Sequence, residues 1–154
     1  LDAPLEMHLG LNAFNQLDRV ADLWIMPLPL PLSLPLHKTL LSTQRYNDID
    51  LDAFFELAPT YATVDLELPT GFRLVAVPSN RTIRTRFGTY ELRFEPSETG
   101  LRIVRNLVFN QRFVQHTDFA DFKRFYLDVL ESDDVMLAMK AADGRRSVSY
   151  THLT

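Results

Sequence analysis

Cysteine is absent from this 154-residue chain, which removes disulfide frameworks, thiolate zinc sites and cysteine nucleophiles from its chemistry. The absence assigns no compartment, because cysteine-free domains suit cytosol and periplasm alike. Glycine is scarce too. Gly10, Gly71, Gly88, Gly100 and Gly144 all stand alone, so no clustered glycine loop exists to cradle a phosphate. No serine lies in a Gly-x-Ser-x-Gly elbow. Long apolar runs are also missing. The stretch Leu23 to Leu36 is interrupted by Pro27, Pro29, Pro31 and Pro35, and it falls short of the roughly 20 residues that span a bilayer. No membrane span is expected. The start LDAPLEMHLG has neither an initiator Met nor the basic-then-apolar order of a signal peptide, so the chain reads as a fragment cut from something longer.

What is present is a chain able to fill a core. Apolar residues make up 46% of it and eleven phenylalanines dominate the aromatics, a composition that argues against disorder. The length suits one domain, expected over residues 1–140. Net charge is −4 but unevenly spread. Residues 1–72 carry ten acids against three bases, whereas residues 73–112 carry eight arginines against three acids. Arg73, Arg81, Arg84, Arg86, Arg93, Arg102, Arg105 and Arg112 can form a patch for a polyanion. The preferred reading makes most of them outward strand positions paired with Glu91, Glu95 and Glu98, and the overall acidity argues against a nucleic-acid partner.

Period-two alternation dominates the pattern. In TVDLELPTGFRLVAVP, residues 63–78, Val64, Leu66 and Leu68 point one way and Thr63, Asp65 and Glu67 the other, the signature of a half-buried strand. Pro69 ends that strand and Gly71 supplies the permissive backbone before Phe72 begins the next. Further strands are predicted over Pro4–Asn12, Leu23–Met26, Phe72–Val77, Arg81–Phe87, Tyr90–Phe94 and from Leu101 toward Val114, with extended material at Leu51–Leu57 and a turn at Asn15–Arg19. In the long strand Leu101, Ile103, Arg105, Leu107 and Phe109 share a face. The Pro/Leu segment is read as a packed extended strap, since free leucines would be poorly solvated. Short turns between these strands point to an antiparallel meander or Greek key. The period changes once. Phe119, Phe122, Phe125, Tyr126, Val129 and Leu130 recur at helical spacing, predicting an amphipathic helix over about 118–131, capped by Thr117 or Asp118 and plugging a sandwich core. Val135, Leu137 and Met139 restart the strand period. The fold class is therefore all-β and mainly antiparallel: an immunoglobulin-like or Greek-key β-sandwich with one helix near the C-terminus.

Candidate chemistry is thin. Asn47, Asp48, Asp50 and Asp52 imitate the opening of a calcium loop, but Ala53 stands where its glycine belongs and Pro59 where the closing glutamate belongs. His8, His37, His116 and His152 lack metal-like spacing, and Glu131, Asp133 and Asp134 read as a solvated helix end. Trp24, Tyr46, Tyr61 and Tyr90 can furnish a sugar- or peptide-binding platform, although sandwich aromatics usually face the core. Accordingly no catalytic, cofactor-binding or metal-ligating residue is assigned and no cofactor is expected.

The order of landmarks is informative where each alone is weak. A Pro/Leu-rich segment precedes Gln44-Arg45-Tyr46, the Leu68-Pro69-Thr70-Gly71-Phe72 turn, Val77-Pro78, Phe87-Gly88-Thr89-Tyr90, Val104-Arg105, the aromatic helix with Phe125 and a closing VMLAMK strand. Over about residues 3–140 this resembles the C-terminal domain of bacterial transglutaminase-like proteins, especially those of Bacteroidetes, which also carry an N-terminal β-sandwich domain. The resemblance implies a non-catalytic accessory domain that supports an upstream papain-like core or mediates substrate or partner contact. It also implies a periplasmic or cell-surface location. A carbohydrate- or cell-wall-binding module is the alternative, so the expected partners are the upstream core and a protein or glycan ligand. The tail VSYTHLT is similar to translated sequencing adapter, and residues 141–154 are expected to be disordered or non-native.

Overall fold

A computed structural model describes residues 17–30 and 33–141. The predicted strand at Pro4–Asn12, His8, His152 and the tail beyond Ala141 lie outside the described residues. Two four-stranded antiparallel sheets face one another. The first has the order β1 (Asp18–Val20), β2 (Leu23–Pro27), β10 (Met136–Ala141), β5 (Phe72–Ala76), and the second the order β4 (Thr60–Glu67), β8 (Gly100–Phe109), β7 (Gly88–Pro96), β6 (Arg81–Arg84). A short pair, β3 (Ile49–Asp50) with β9 (Phe113–Val114), stands apart, and the helix α1 spans Phe119–Asp133. The expectation of a mainly antiparallel β-sandwich with one helix near the C-terminus holds.

The Leu68–Gly71 turn makes no hairpin. It carries the chain from β4 in one sheet to β5 in the other, and Gly71 adopts φ +83°, a conformation open to glycine at little cost. Strands β6, β7 and β8 then form a meander, with β4 laid beside β8, which is a Greek-key order. Alternation dictates which side chains meet. Tyr90, Leu92 and Phe94 of β7 and Leu101, Ile103 and Leu107 of β8 point inward with Met26, Leu137 and Met139 of the other sheet. Helix α1 adds Phe119, Phe122, Phe125, Tyr126 and Val129 to the same core. Phe122 lies edge-on to Phe87 at 5.6 Å, and Phe109 edge-on to Phe125 at 6.4 Å, geometries that aromatic quadrupoles favour.

Three local expectations are corrected. Leu51–Leu57 is not extended: Leu51–Ala53 form a 3-10 turn because the Asp50 carboxylate accepts the Asp52 N–H at 3.1 Å, capping it. Asn15–Arg19 is no turn within its described part, since β1 begins at Asp18 and the reversal falls at Ala21, which sits at φ 57°. Asp118 occupies the N-cap position but makes no side-chain cap bond; its carboxylate turns to Arg86 at 3.0 Å.

In its described parts the Pro/Leu strap packs through Leu28, Leu30 and Leu34, as expected, while Leu36 is exposed. The Tyr126 hydroxyl donates to the Pro35 carbonyl at 2.6 Å and accepts the His37 N–H at 2.9 Å, while the Lys123 ammonium donates to the Leu41 and Ser42 carbonyls. Helix α1 thereby holds both the strap and the 3-10 turn at Lys38–Leu41.

Candidate functional site

The densest polar constellation is buried rather than presented. Arg105 lies in phase with the inward residues of β8, where a guanidinium requires a partner. Asp133, in the last turn of α1, supplies it through two bonds: Nε to Oδ1 at 2.8 Å and Nη2 to Oδ2 at 2.7 Å. The Tyr90 hydroxyl donates to the same Oδ1 at 2.7 Å. Side-chain exposure is 1% for Arg105 and 8% for Asp133. The reading of Asp133 as part of a solvated helix end is therefore corrected, whereas Arg105 lies on the face its spacing shares with Leu101, Ile103 and Leu107, an exception to the outward reading of most arginines. The signal available in the sequence was the arginine in step with Leu101, Ile103, Leu107 and Phe109; its partner, 28 residues away, had none. Burial, then the Asp133 carboxylate, pushes the Tyr90 phenol far above its ordinary range. A phenol held protonated against a bidentate ion pair joins helix to sheet and offers no proton at neutral pH.

The other arginines of residues 73–112 are exposed, as the solvated-face reading expects, but of them only Arg93 pairs with the glutamates it named. Arg93 pairs with Glu91 at 2.9 Å and Glu95 at 3.8 Å along β7, and Arg102 of β8 meets Asp65 of β4 at 2.7 Å. Arg86 bridges Asp118 and Asp121. Glu98 has no ion pair among the described residues. The NDIDLD carboxylates are engaged by side chains of the chain itself: Arg112 takes Asp50 in a bidentate pair at 2.7 and 2.8 Å, and His116 meets Asp48 at 2.9 Å. Hydrogen bonds from His116, Arg112 and Arg102 draw the Asp48, Asp50 and Asp65 carboxyls, respectively, below their ordinary range. No cluster of three or more potential metal ligands occurs among the described residues. The acidic motif therefore works as a clasp between the β3 and β9 segments.

The proposed aromatic platform is not assembled. Tyr90 is fully buried, and Trp24 stands edge-on to Phe72 at 6.3 Å under the Arg19 guanidinium. Tyr46 and Tyr61 are exposed at 78% and 66%, on a loop and on β4 respectively. The His37 ring packs between Phe54 and Phe55 with Nε2 2.9 Å from the Phe54 carbonyl.

Recesses in the surface follow the joints between elements. One of about 350 Å³ lies between β6, β7 and the end of α1, where the Asn80 amide oxygen already accepts the Phe94 N–H. Another of about 140 Å³ lies under the Pro/Leu strap against Phe54, Phe55 and Leu107. Neither combines a nucleophile, a base and a set of convergent donors, the minimum for acyl or glycosyl transfer. Among the described residues no helix is long and apolar enough to cross a membrane.

Known proteins place this architecture. A crystal structure of a candidate protease from Parabacteroides distasonis ATCC 8503 has the same fold over 77% of this chain, with a TM-score of 0.60 and 18% identity. The match covers 23% of that chain, so the present sequence spans less than a quarter of its length. No curated protein matches. Residues 26–137, from the core of β2 to the core of β10, match the family described as a domain of unknown function with solved structure, DUF3858, and the chain belongs to that family.

Proposed function

We propose that this domain is a non-catalytic accessory β-sandwich of a larger protease-like or transglutaminase-like polypeptide, in which it supports the core or presents substrate or partner. The observation that carries this reading is the fold match to a segment that makes up 23% of a much longer protein. The polar chemistry supports it: Arg105, Asp133 and Tyr90 are locked together, and Asp48, Asp50, Asp65 and Asp118 are taken by histidine or arginine side chains of the same chain. The same proposal includes an exported, envelope-facing location. Assaying the purified chain for peptidase, transamidase and glycosidase turnover tests it; no turnover is expected, and reproducible activity abolished by one point change in this chain overturns it.

A second reading, a carbohydrate- or cell-wall-binding module, is favoured only by the exposed rings of Tyr46 and Tyr61. Peptidoglycan pull-down separates the two: binding lost in Tyr46→Ala and Tyr61→Ala supports the module, and binding indifferent to both excludes it.

A further inference from the structure

The two sheets differ sharply on the side turned away from the core. On the β4–β8–β7–β6 sheet that side is an ionic ladder, with Asp65, Arg102, Glu95, Arg93 and Glu91 on neighbouring register positions. On the β1–β2–β10–β5 sheet it is largely apolar, with Asp18 beside Ile25 and Lys140 beside Arg73 at its margins. Pairing sets Val20 beside Leu23, Ile25 beside Ala138, Ala138 beside Ala76, and Pro27 beside Met136. Their neighbours Trp24, Met26, Leu137, Met139 and Leu74 pack into the core, whereas Val20, Val75 and Met136 are 57%, 44% and 49% exposed. The polar groups lie around this face: Lys140 with its partner Asp22 at 2.7 Å, Arg73 and Asp18. A contiguous apolar surface with a charged rim is the anatomy of an interface core.

We infer that this outer face is where the domain packs against an adjoining domain of the same, longer polypeptide. The inference rests on the accessory reading above and adds the surface that reading lacks. Two observations select the occupant. The first and last described strands, β1 and β10, both belong to this sheet, so the described chain enters and leaves through it. A domain tethered there meets the face at high effective concentration and needs little intrinsic affinity. The similar candidate protease also contains far more chain than this fold accounts for.

Methionine oxidation reads the face directly, because peroxide reaches an exposed thioether and not a packed one. Met136 is the probe, and Met26 and Met139, 1% and 3% exposed, report that the fold is intact. In the longer polypeptide carrying this chain, Met136 is expected to oxidise at least about ten-fold more slowly than methionine in a free peptide, by mass spectrometry. The Ile25→Asp variant of that polypeptide should restore the rate to within about two-fold of the peptide's. In the 154-residue chain alone, at dilution, Met136 should react within a few-fold of the peptide rate. Wild-type Met136 oxidising at the peptide rate in the longer polypeptide overturns the inference and leaves the accessory reading standing. Protection in the short chain at dilution also overturns it, assigning the cover to that chain's own residues, as does protection that grows with concentration, assigning it to a second copy. If the gene encodes no protease-like neighbour, the accessory reading fails and this inference falls with it.

Discussion

At the scale of single residues, the Arg105–Asp133 pair sets the sharpest prediction. Asp133 sits in the last turn of α1, where the helix dipole disfavours a carboxylate, so the guanidinium is what holds it there. Removing one partner of a buried pair strands the other charge and costs about 3–5 kcal/mol, whereas replacing both by apolar groups is often neutral. Urea unfolding should therefore show Asp133→Ala strongly destabilised and the double variant Arg105→Met/Asp133→Leu far less so. Tyr90→Phe, which removes one bond to a charged acceptor, should cost about 1.5–3 kcal/mol. The exposed Asp50–Arg112 clasp behaves differently. The Asp50 carboxyl titrates below its ordinary range when folded, so its contribution to stability is complete above the unfolded value of about 3.9 and fades as pH falls through the folded one. The stability gap between wild type and Arg112→Ala should thus be constant from pH 7 to about pH 5 and shrink below pH 4. A gap independent of pH would remove Asp50 from the account.

At the scale of elements, the strap, the helix and the sheet share one core but are joined by few polar contacts, and each of these can be cut. Tyr126→Phe keeps the ring in the core but leaves the Pro35 carbonyl and His37 N–H without their hydroxyl, which should cost about 1–2 kcal/mol and quicken amide exchange across residues 33–41. At Gly88 the Phe125 ring of α1 and the β8 backbone both crowd β7. A Cβ there would stand 2.5 Å from the Val108 carbonyl oxygen and 3.0 Å from the Phe125 ring, so Gly88→Ala should destabilise by about 1–3 kcal/mol. The strands and the helix were legible in the sequence because period two and period 3.6 are imposed locally, by which side chains must leave water. Leu51–Leu57 was misread for a complementary reason: the Asp50 cap that curls the chain is a two-residue interaction that apolar spacing does not register. The Asp133 pairing and the passage of the chain between sheets at Gly71 were illegible, since both depend on segments distant in sequence. The same holds for the apolar outer face. Leu23–Pro27 and Met136–Ala141 each look like ordinary strands, and only their pairing makes a surface of them.

At the scale of the whole molecule, the chain passes repeatedly between the two sheets: from β2 to β4, from β4 to β5, from β5 to β6, and from β8 through α1 to β10. Strand β10 lies between β2 and β5 although it is last in sequence, so the first sheet closes only after the second sheet and the helix have been traversed. Neither sheet can bury its inner face alone. Unfolding is therefore expected to be one cooperative transition, whichever sheet reports it. The single tryptophan, Trp24, reports on the first sheet through its contact with Phe72, while far-UV circular dichroism averages over both. Ile103→Ala empties a position at 0% exposure in the second sheet and Leu137→Ala does the same in the first. Each should cost about 2–5 kcal/mol, lowering the melting temperature by on the order of 10 °C in a domain of this size. The decisive observation is coincidence: in both variants the fluorescence and dichroism transitions should move together. If Ile103→Ala shifts the dichroism melt and leaves Trp24 fluorescence at its wild-type midpoint, the sheets unfold separately and the crossings do not couple them.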